Sequence, residues 1–192
     1  DAFEQALAAL PRARDLRFRV EHAQVLAESD IPRFRALGVL PSMQATHCTS
    51  DMPWAEARLG PERLQGAYAW RSLLATGVVI PGGSDFPVES PNPFLGIYAG
   101  VARRPLPRGE DRGWQPEQRM TREEAVRSFT SWNAHASHQE AELGALTPGR
   151  RADLVVCSDD VFTCPEERIP DIVPLLTLVS GEVVFRREAQ PQ

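Results

Sequence analysis

Three short stretches set reactive side chains at the ends of apolar runs. "LRFRVEHA" (residues 16–23) closes on His22, "VLPSMQATH" (39–47) carries Gln44 and His47, and "VVIPGGSDFPVES" (78–90) delivers Asp85 after two glycines. A histidine and an aspartate from different strand ends could share a divalent cation and activate a water molecule on it. Each residue also has a plainer reading. His22 alone reads as a half-buried histidine with its hydrogen bonds satisfied, and Asp85 alone reads as a helix cap or an Asx turn. Two protein ligands fall short of the three that a catalytic zinc site takes, so the stretch around Asp85 needs partners. "HASH" (135–138) puts two imidazoles at i and i+3, but with no third ligand near in sequence it reads as a solvated or interface helix face. The glycine pair before Asp85 lacks the rest of a phosphate-binding loop, and neither G-x-S-x-G nor H-E-x-x-H occurs.

Composition narrows the classes. The chain has 192 residues, 42% hydrophobic and 24% charged, with a net charge of −5. That is an ordinary globular composition, one domain or one and a part, with a core large enough to need no staple. No apolar run is long enough to cross a membrane, and no basic stripe marks a nucleic-acid binder. All 21 cationic residues are arginine. The absence of lysine excludes a Schiff base, a P-loop lysine and a carbamylated lysine bridge within this chain. Cys48, Cys157 and Cys164 are odd in number and irregular in spacing, as reduced thiols of a cytoplasmic protein would be.

The elements that must position these residues follow from periodicity and punctuation. Residues 2–10 read as the end of an amphipathic helix, so the chain reads as a fragment starting in mid-helix. Alternation over 16–23 predicts a strand, and 29–38 a short helix with Pro32 in its first turn and Gly38 at its end. A second strand is predicted over 39–45, then a loop with His47, Cys48, Asp51 and Trp54. A helix over 61–77 and a third strand over 78–85 complete a strand–helix alternation that argues for parallel βα units. The Pro-, Gly- and Arg-rich stretch 89–121 reads as a long connection of the kind that forms lids. Thr121 and Glu124 make a capping box that opens a helix running to about 139. Beyond 140 the pattern changes to antiparallel strands, two of them joined at Ser180-Gly181. The boundary falls there, giving units 1–139 and 140–192.

"RFRVEHAQ", "LPSMQATHCTSDMPW", "GVVIPGGSDFPVES" and "LGALTPGRRADLVV" together resemble the amidohydrolase superfamily, and within it the amidohydrolase-3 or YtcJ-like branch that includes N-substituted formamide deformylases. The likeness covers nearly the whole chain in four ordered motifs. It implies an α/β fold: the last three βα units of a (β/α)8 TIM-like barrel, followed by strands of a small β-sandwich. It implies a metal-dependent hydrolase of carbon–nitrogen bonds other than peptide bonds, with one or two divalent ions, zinc foremost, in the complete protein. Carried over residue by residue, His22 matches a metal ligand. Asp85 matches the eighth-strand aspartate, which binds metal and serves as general base. Gln44 and His47 fall on the segment that lines the substrate pocket, and Trp54 on the same loop as a pocket wall.

The departures from the family pattern matter as well. The H-x-H pair of the first strand and the "HAxGD" segment of the fifth are absent, so the chain reads as a C-terminal portion that by itself lacks catalysis and much of the metal site. The partner implied is a small amide-type substrate; neither nucleic acid nor membrane is expected, and a homo-oligomer is compatible with the sequence. The alternative is a stand-alone, non-catalytic binding or regulatory domain that kept a hydrolase scaffold and holds no metal.

Overall fold

A computed structural model of the chain describes residues 2–106 and 113–188. It is an α/β structure. Strand β1 (Arg19–Glu21) pairs in parallel with β2 (Leu40–Ser42), in the register Arg19↔Leu40, Val20↔Pro41 and Glu21↔Ser42. Helix α1 (Ala2–Ala9) precedes them, and α2 (Ile31–Leu37) is the crossover. Pro32 occupies the first turn of α2, and Gly38 at φ 68° ends it, as the sequence predicts.

The expected third strand over 78–85 is reduced to one parallel bridge, Met43↔Gly82. The ladder is diverted to a helix. Pro81 has no N–H to give, the Gly82 N–H donates to Ser128 O at 2.8 Å, and Asn133 Nδ2 donates to Gly82 O at 3.0 Å. Only glycine fits there, because a Cβ on Gly82 would stand 2.9 Å from Ser128 Oγ.

Helix assignments depart from expectation in four places. The predicted loop after β2 is the start of α3 (Ala45–Leu64), kinked at Gly60 where φ is 72°. Residues 54–58 are good helix formers with one buried side, on which Ala55 is 2% exposed, and they carry the helix past Pro53. The predicted helix over 61–77 is broken before α4 (Trp70–Ala75), because 66–68 turns to pair with 24–26 through the Val25↔Ala67 bridge. Helix α5 (Pro93–Ala102) fills much of the expected connection, its first turn capped by Asn92 Oδ1 accepting from the Phe94 N–H at 3.0 Å. Residues 107–112 of that connection lie outside the described residues. The predicted helix from 121 splits at Thr130 into α6 (Arg122–Phe129) and α7 (Ser131–Ala136). Its capping box forms as expected, with Glu124 also gripping Arg71 at 2.6 Å.

The C-terminal strands β3 (Leu154–Cys157), β4 (Pro174–Val179) and β5 (Glu182–Arg186) form one antiparallel sheet in the order β3-β4-β5. Ser180 and Gly181, at φ 51° and 85°, make the hairpin turn. Between β3 and β4 the chain returns to α5 and buries Ile169 and Ile172 in the common core with Trp70, Leu73, Ile80 and Ile97. That core also holds Arg103, which is fully buried. Its guanidinium donates to Trp114 O (2.7 Å), Tyr68 O (2.9 Å) and Gln115 Oε1 (3.2 Å), and it stacks 4.4 Å from the Trp70 ring centroid. Among the described residues no helix is long and apolar enough to cross a membrane.

Candidate active site

The site is assembled where the parallel segments end. Past β1 the chain enters two consecutive left-handed residues, His22 (φ 69°) and Ala23 (φ 41°), closed by the Ala23 N–H donating to Glu21 O at 2.9 Å. Such conformations cost non-glycine residues about 1–3 kcal/mol each and persist only where surrounding structure enforces them. Past β2, Gln44 caps α3, and His47 lies in its first turn; both are buried. Past Gly82, Asp85 (φ 56°) begins a turn in which the Val88 N–H donates to its carbonyl at 2.8 Å. Glu89, further along this loop, accepts from Ser50 Oγ on α3 at 2.7 Å.

These segments bring four side chains together. His22 Nδ1 donates to Gln44 Oε1 at 2.9 Å. The rings of His22 and His47 stack with centroids 5.6 Å apart and 19° between planes. His47 Nε2 lies 3.8 Å from Asp85 Oδ2. One donor atom each from His22, His47 and Asp85 fall within 4.8 Å of one another.

A metal ion fits this donor set. His47 Nε2 is buried and has no hydrogen-bond partner, a state that costs about 1–3 kcal/mol unless something else meets the lone pair. The Gln44 carbonyl can only accept, so His22 presents its Nδ1–H to it, which leaves Nε2 as the ring's ligand atom; outer-sphere bonds fix histidine ligands in this way. Ligand bonds of about 2.0–2.2 Å put tetrahedral donors a little over 3 Å apart, so a small closure of the group suffices. Two imidazoles and one carboxylate also leave coordination positions open for reaction.

Sequence and structure differ in the grouping. His22 and Asp85 come together, and His47, expected only as pocket lining, joins them. Gln44, expected beside the substrate, stands behind His22. Trp54 lies two turns beyond His47 on α3 and is 49% exposed. His135 and His138 make no chelate among the described residues: His135 faces Glu140 at 3.9 Å, and His138 Nε2 reaches Leu16 O at 3.4 Å. Sequence reasoning did not single out Gln24 or Tyr68, and it left Asp51 as a loop residue. The spacing of Asp51, four after His47, carries meaning only once 45–64 is a helix.

An α/β protein with two imidazoles and a carboxylate converging past its parallel segments is the class so defined. The chain belongs to the amidohydrolase family, whose sequence profile matches residues 1–185. It is 30% identical over 189 residues to the putative amidohydrolase YtcJ of Bacillus subtilis, covering 97% of this chain and 36% of that protein. It is 31% identical over 117 residues to the N-substituted formamide deformylase of Arthrobacter pascens, covering 61% of this chain and 21% of that one. Among solved structures, an uncharacterized metal-dependent hydrolase from Pyrococcus furiosus superposes with a TM-score of 0.61 at 32% identity, covering 79% of this chain and 30% of that one. The chain thus spans about a third or less of the length of these proteins.

Proposed function

We propose that this chain is the C-terminal portion of a metal-dependent hydrolase acting on carbon–nitrogen bonds of amide or formamide type. The observation that carries the reading is the convergence of His22, His47 and Asp85 within 4.8 Å around a buried, unpartnered His47 Nε2. Family membership and the likeness to an N-substituted formamide deformylase support the bond type. We assign residues 1–139 to the last three units of a (β/α)8 barrel and 140–192 to strands of a β-sandwich. The parallel β1–β2 pair and the Met43–Gly82 bridge support the first assignment.

In this reading His22, His47 and Asp85 hold a divalent ion, zinc by the preference of imidazole and carboxylate donors. When bound, such an ion supplies Lewis acidity, polarising a carbonyl and lowering the pKa of water. Asp85 faces the open side of the group, its side chain 40% exposed. One carboxylate oxygen takes the proton of the attacking water and then gives it to the departing nitrogen. Gln44 holds the His22 ring in orientation, and Trp54, on the His47 face of α3, flanks the approach of a small amide substrate. The remaining ligands, and a second ion where one is used, come from outside this chain, and the isolated 192 residues do not turn over. The reduced cysteines and the acidic balance suit a cytoplasmic enzyme of small molecules.

The test is to express the complete gene and measure bound metal together with hydrolysis of amides and N-substituted formamides. Stoichiometric metal is expected, with Asp85→Asn lowering kcat by about 10²–10⁴. Absence of both metal and C–N hydrolysis overturns the reading.

A further inference from the structure

We infer that Gln24, Asp51 and Tyr68 form a clasp that sets the separation and orientation of the His22 and His47 imidazoles; the inference rests on the metal-site reading above. The three side chains close a ring of hydrogen bonds. Gln24 Nε2 donates to Asp51 Oδ2 at 3.1 Å and to the Tyr68 hydroxyl at 2.6 Å, and the Tyr68 O–H donates in turn to Asp51 Oδ2. Asp51 Oδ2 is the shared acceptor of the ring, facing both the Tyr68 hydroxyl and the Gln24 amide.

Each member is tied to a different part of the site. Gln24 is two residues past His22, directly after the left-handed pair His22–Ala23. Asp51 is one helical turn past His47 on the same face of α3. Tyr68 is the fixed point. It is 2% exposed, its ring meets Trp70 and Trp114 edge-on, and its carbonyl accepts from the buried Arg103 at 2.9 Å. Its N–H donates to Gln24 O at 2.8 Å. Gly66 lets the two backbones touch, since a Cβ there would stand 1.8 Å from Leu26 O.

The hydrophobic core therefore reaches both histidines through one tyrosine. The strained turn that carries His22 is tied to α3, which carries His47, by the His22–Gln44 contact and by this clasp. Gln24, Asp51 and Tyr68 are positioning residues; none supplies a metal donor from the group of three.

The test uses the 192-residue chain, with Co2+ alone as the probe. Variants are Asp51→Ala, Asp51→Asn, which keeps an acceptor oxygen, and Tyr68→Phe, a milder change that guards against loss of folding. Co2+ affinity is expected to fall about 10–100-fold in Asp51→Ala and Tyr68→Phe, as for outer-shell changes elsewhere, with an altered visible spectrum and recovery in Asp51→Asn. In the metal-free chain, the imidazole nitrogen resonances of His22 and His47 are expected to shift in Asp51→Ala and return in Asp51→Asn. Folded Asp51→Ala and Tyr68→Phe chains with parental imidazole resonances overturn the clasp. Failure of the parent chain to bind Co2+ would count against the metal reading, and the clasp then stands or falls on the resonances.

Discussion

His47 Nε2 and Asp85 Oδ2 stand 3.8 Å apart, too far to hydrogen-bond and close enough for one cation to satisfy both. The nitrogen is buried with nothing else to accept its lone pair or its proton. The pair therefore holds an unmet interaction, and its consequences can be measured.

Zinc added to the chain should raise its Tm, since an ion that binds only the folded form stabilises by mass action. His47→Ala should abolish that rise, with a loss of affinity beyond the about 10–100-fold of an outer-shell change. Because the substitution also removes an unpartnered buried nitrogen, the metal-free stability should change little. Competition with a chromophoric chelator and thermal melts read both; a parental zinc response in His47→Ala would remove it from the ligand set.

Arg103 predicts a large stability effect at a buried cation whose fork is met by neutral acceptors. Burial pulls its pKa down, yet the guanidinium fork answers three acceptors and lies between two indoles. Arg103→Met should cost about 3–5 kcal/mol, since it leaves buried acceptors unmet and removes a desolvated cation–π contact. Arg103→Lys should recover only part, because an ammonium cannot span the fork. Urea unfolding measures both, and a cost below about 1 kcal/mol would contradict this account.

Acid should unfold the chain partly through Glu140. Two hydrogen bonds from Arg17 hold this carboxylate at about 2, below its ordinary 4.5. Between those values the unfolded chain binds the proton and the folded chain does not, so stability rises with pH across the window and is lost as pH falls through it. Glu124 adds in the same direction: burial raises its pKa, but Arg71 and Thr121 outweigh burial and leave it lowered. Glu140→Gln should flatten the acid limb of a stability–pH curve. An unchanged slope would show the pair to be energetically idle.

The thiols should separate by burial. Burial pushes the Cys48 thiol up to about 12, and Cys164 is buried beside Arg122, whereas Cys157 at the end of β3 is half-exposed. A thiol-reactive disulfide reagent should label Cys157 first and reach the other two only as the chain unfolds. Fast labelling of Cys48 in the native chain would contradict its packing.

The strand ends were readable because apolar runs stop where reactive residues begin. His22, Gln44, His47 and Asp85 all lie at such stops, and the parallel β1–β2 pair follows from that pattern. Less readable were segments whose partners decide their form. Residues 78–81 carry a strand-like apolar run, but the Gly82 N–H goes to Ser128 on α6. Helix α3 contains Pro53, Gly60 and Pro61, each a breaker by itself. Helix α5 is buried on nearly every side, so it shows no period to detect. His47 meets His22 and Asp85 only because α3 begins directly after Gln44, a helix start that the sequence hid behind a loop-like composition.

His22, Ala23 and Asp85 all occupy positive-φ backbone conformations that glycine would adopt at less cost, Asp85 the least strained of the three. On the metal reading proposed above, a directed-evolution screen for heat resistance alone would drift toward replacing His22, and its most stable survivors would be the ones least able to hold a metal. On that reading, a thermostabilised version of this chain has to be selected with the ion present, so that the energy of binding rewards the strained residues that folding alone penalises.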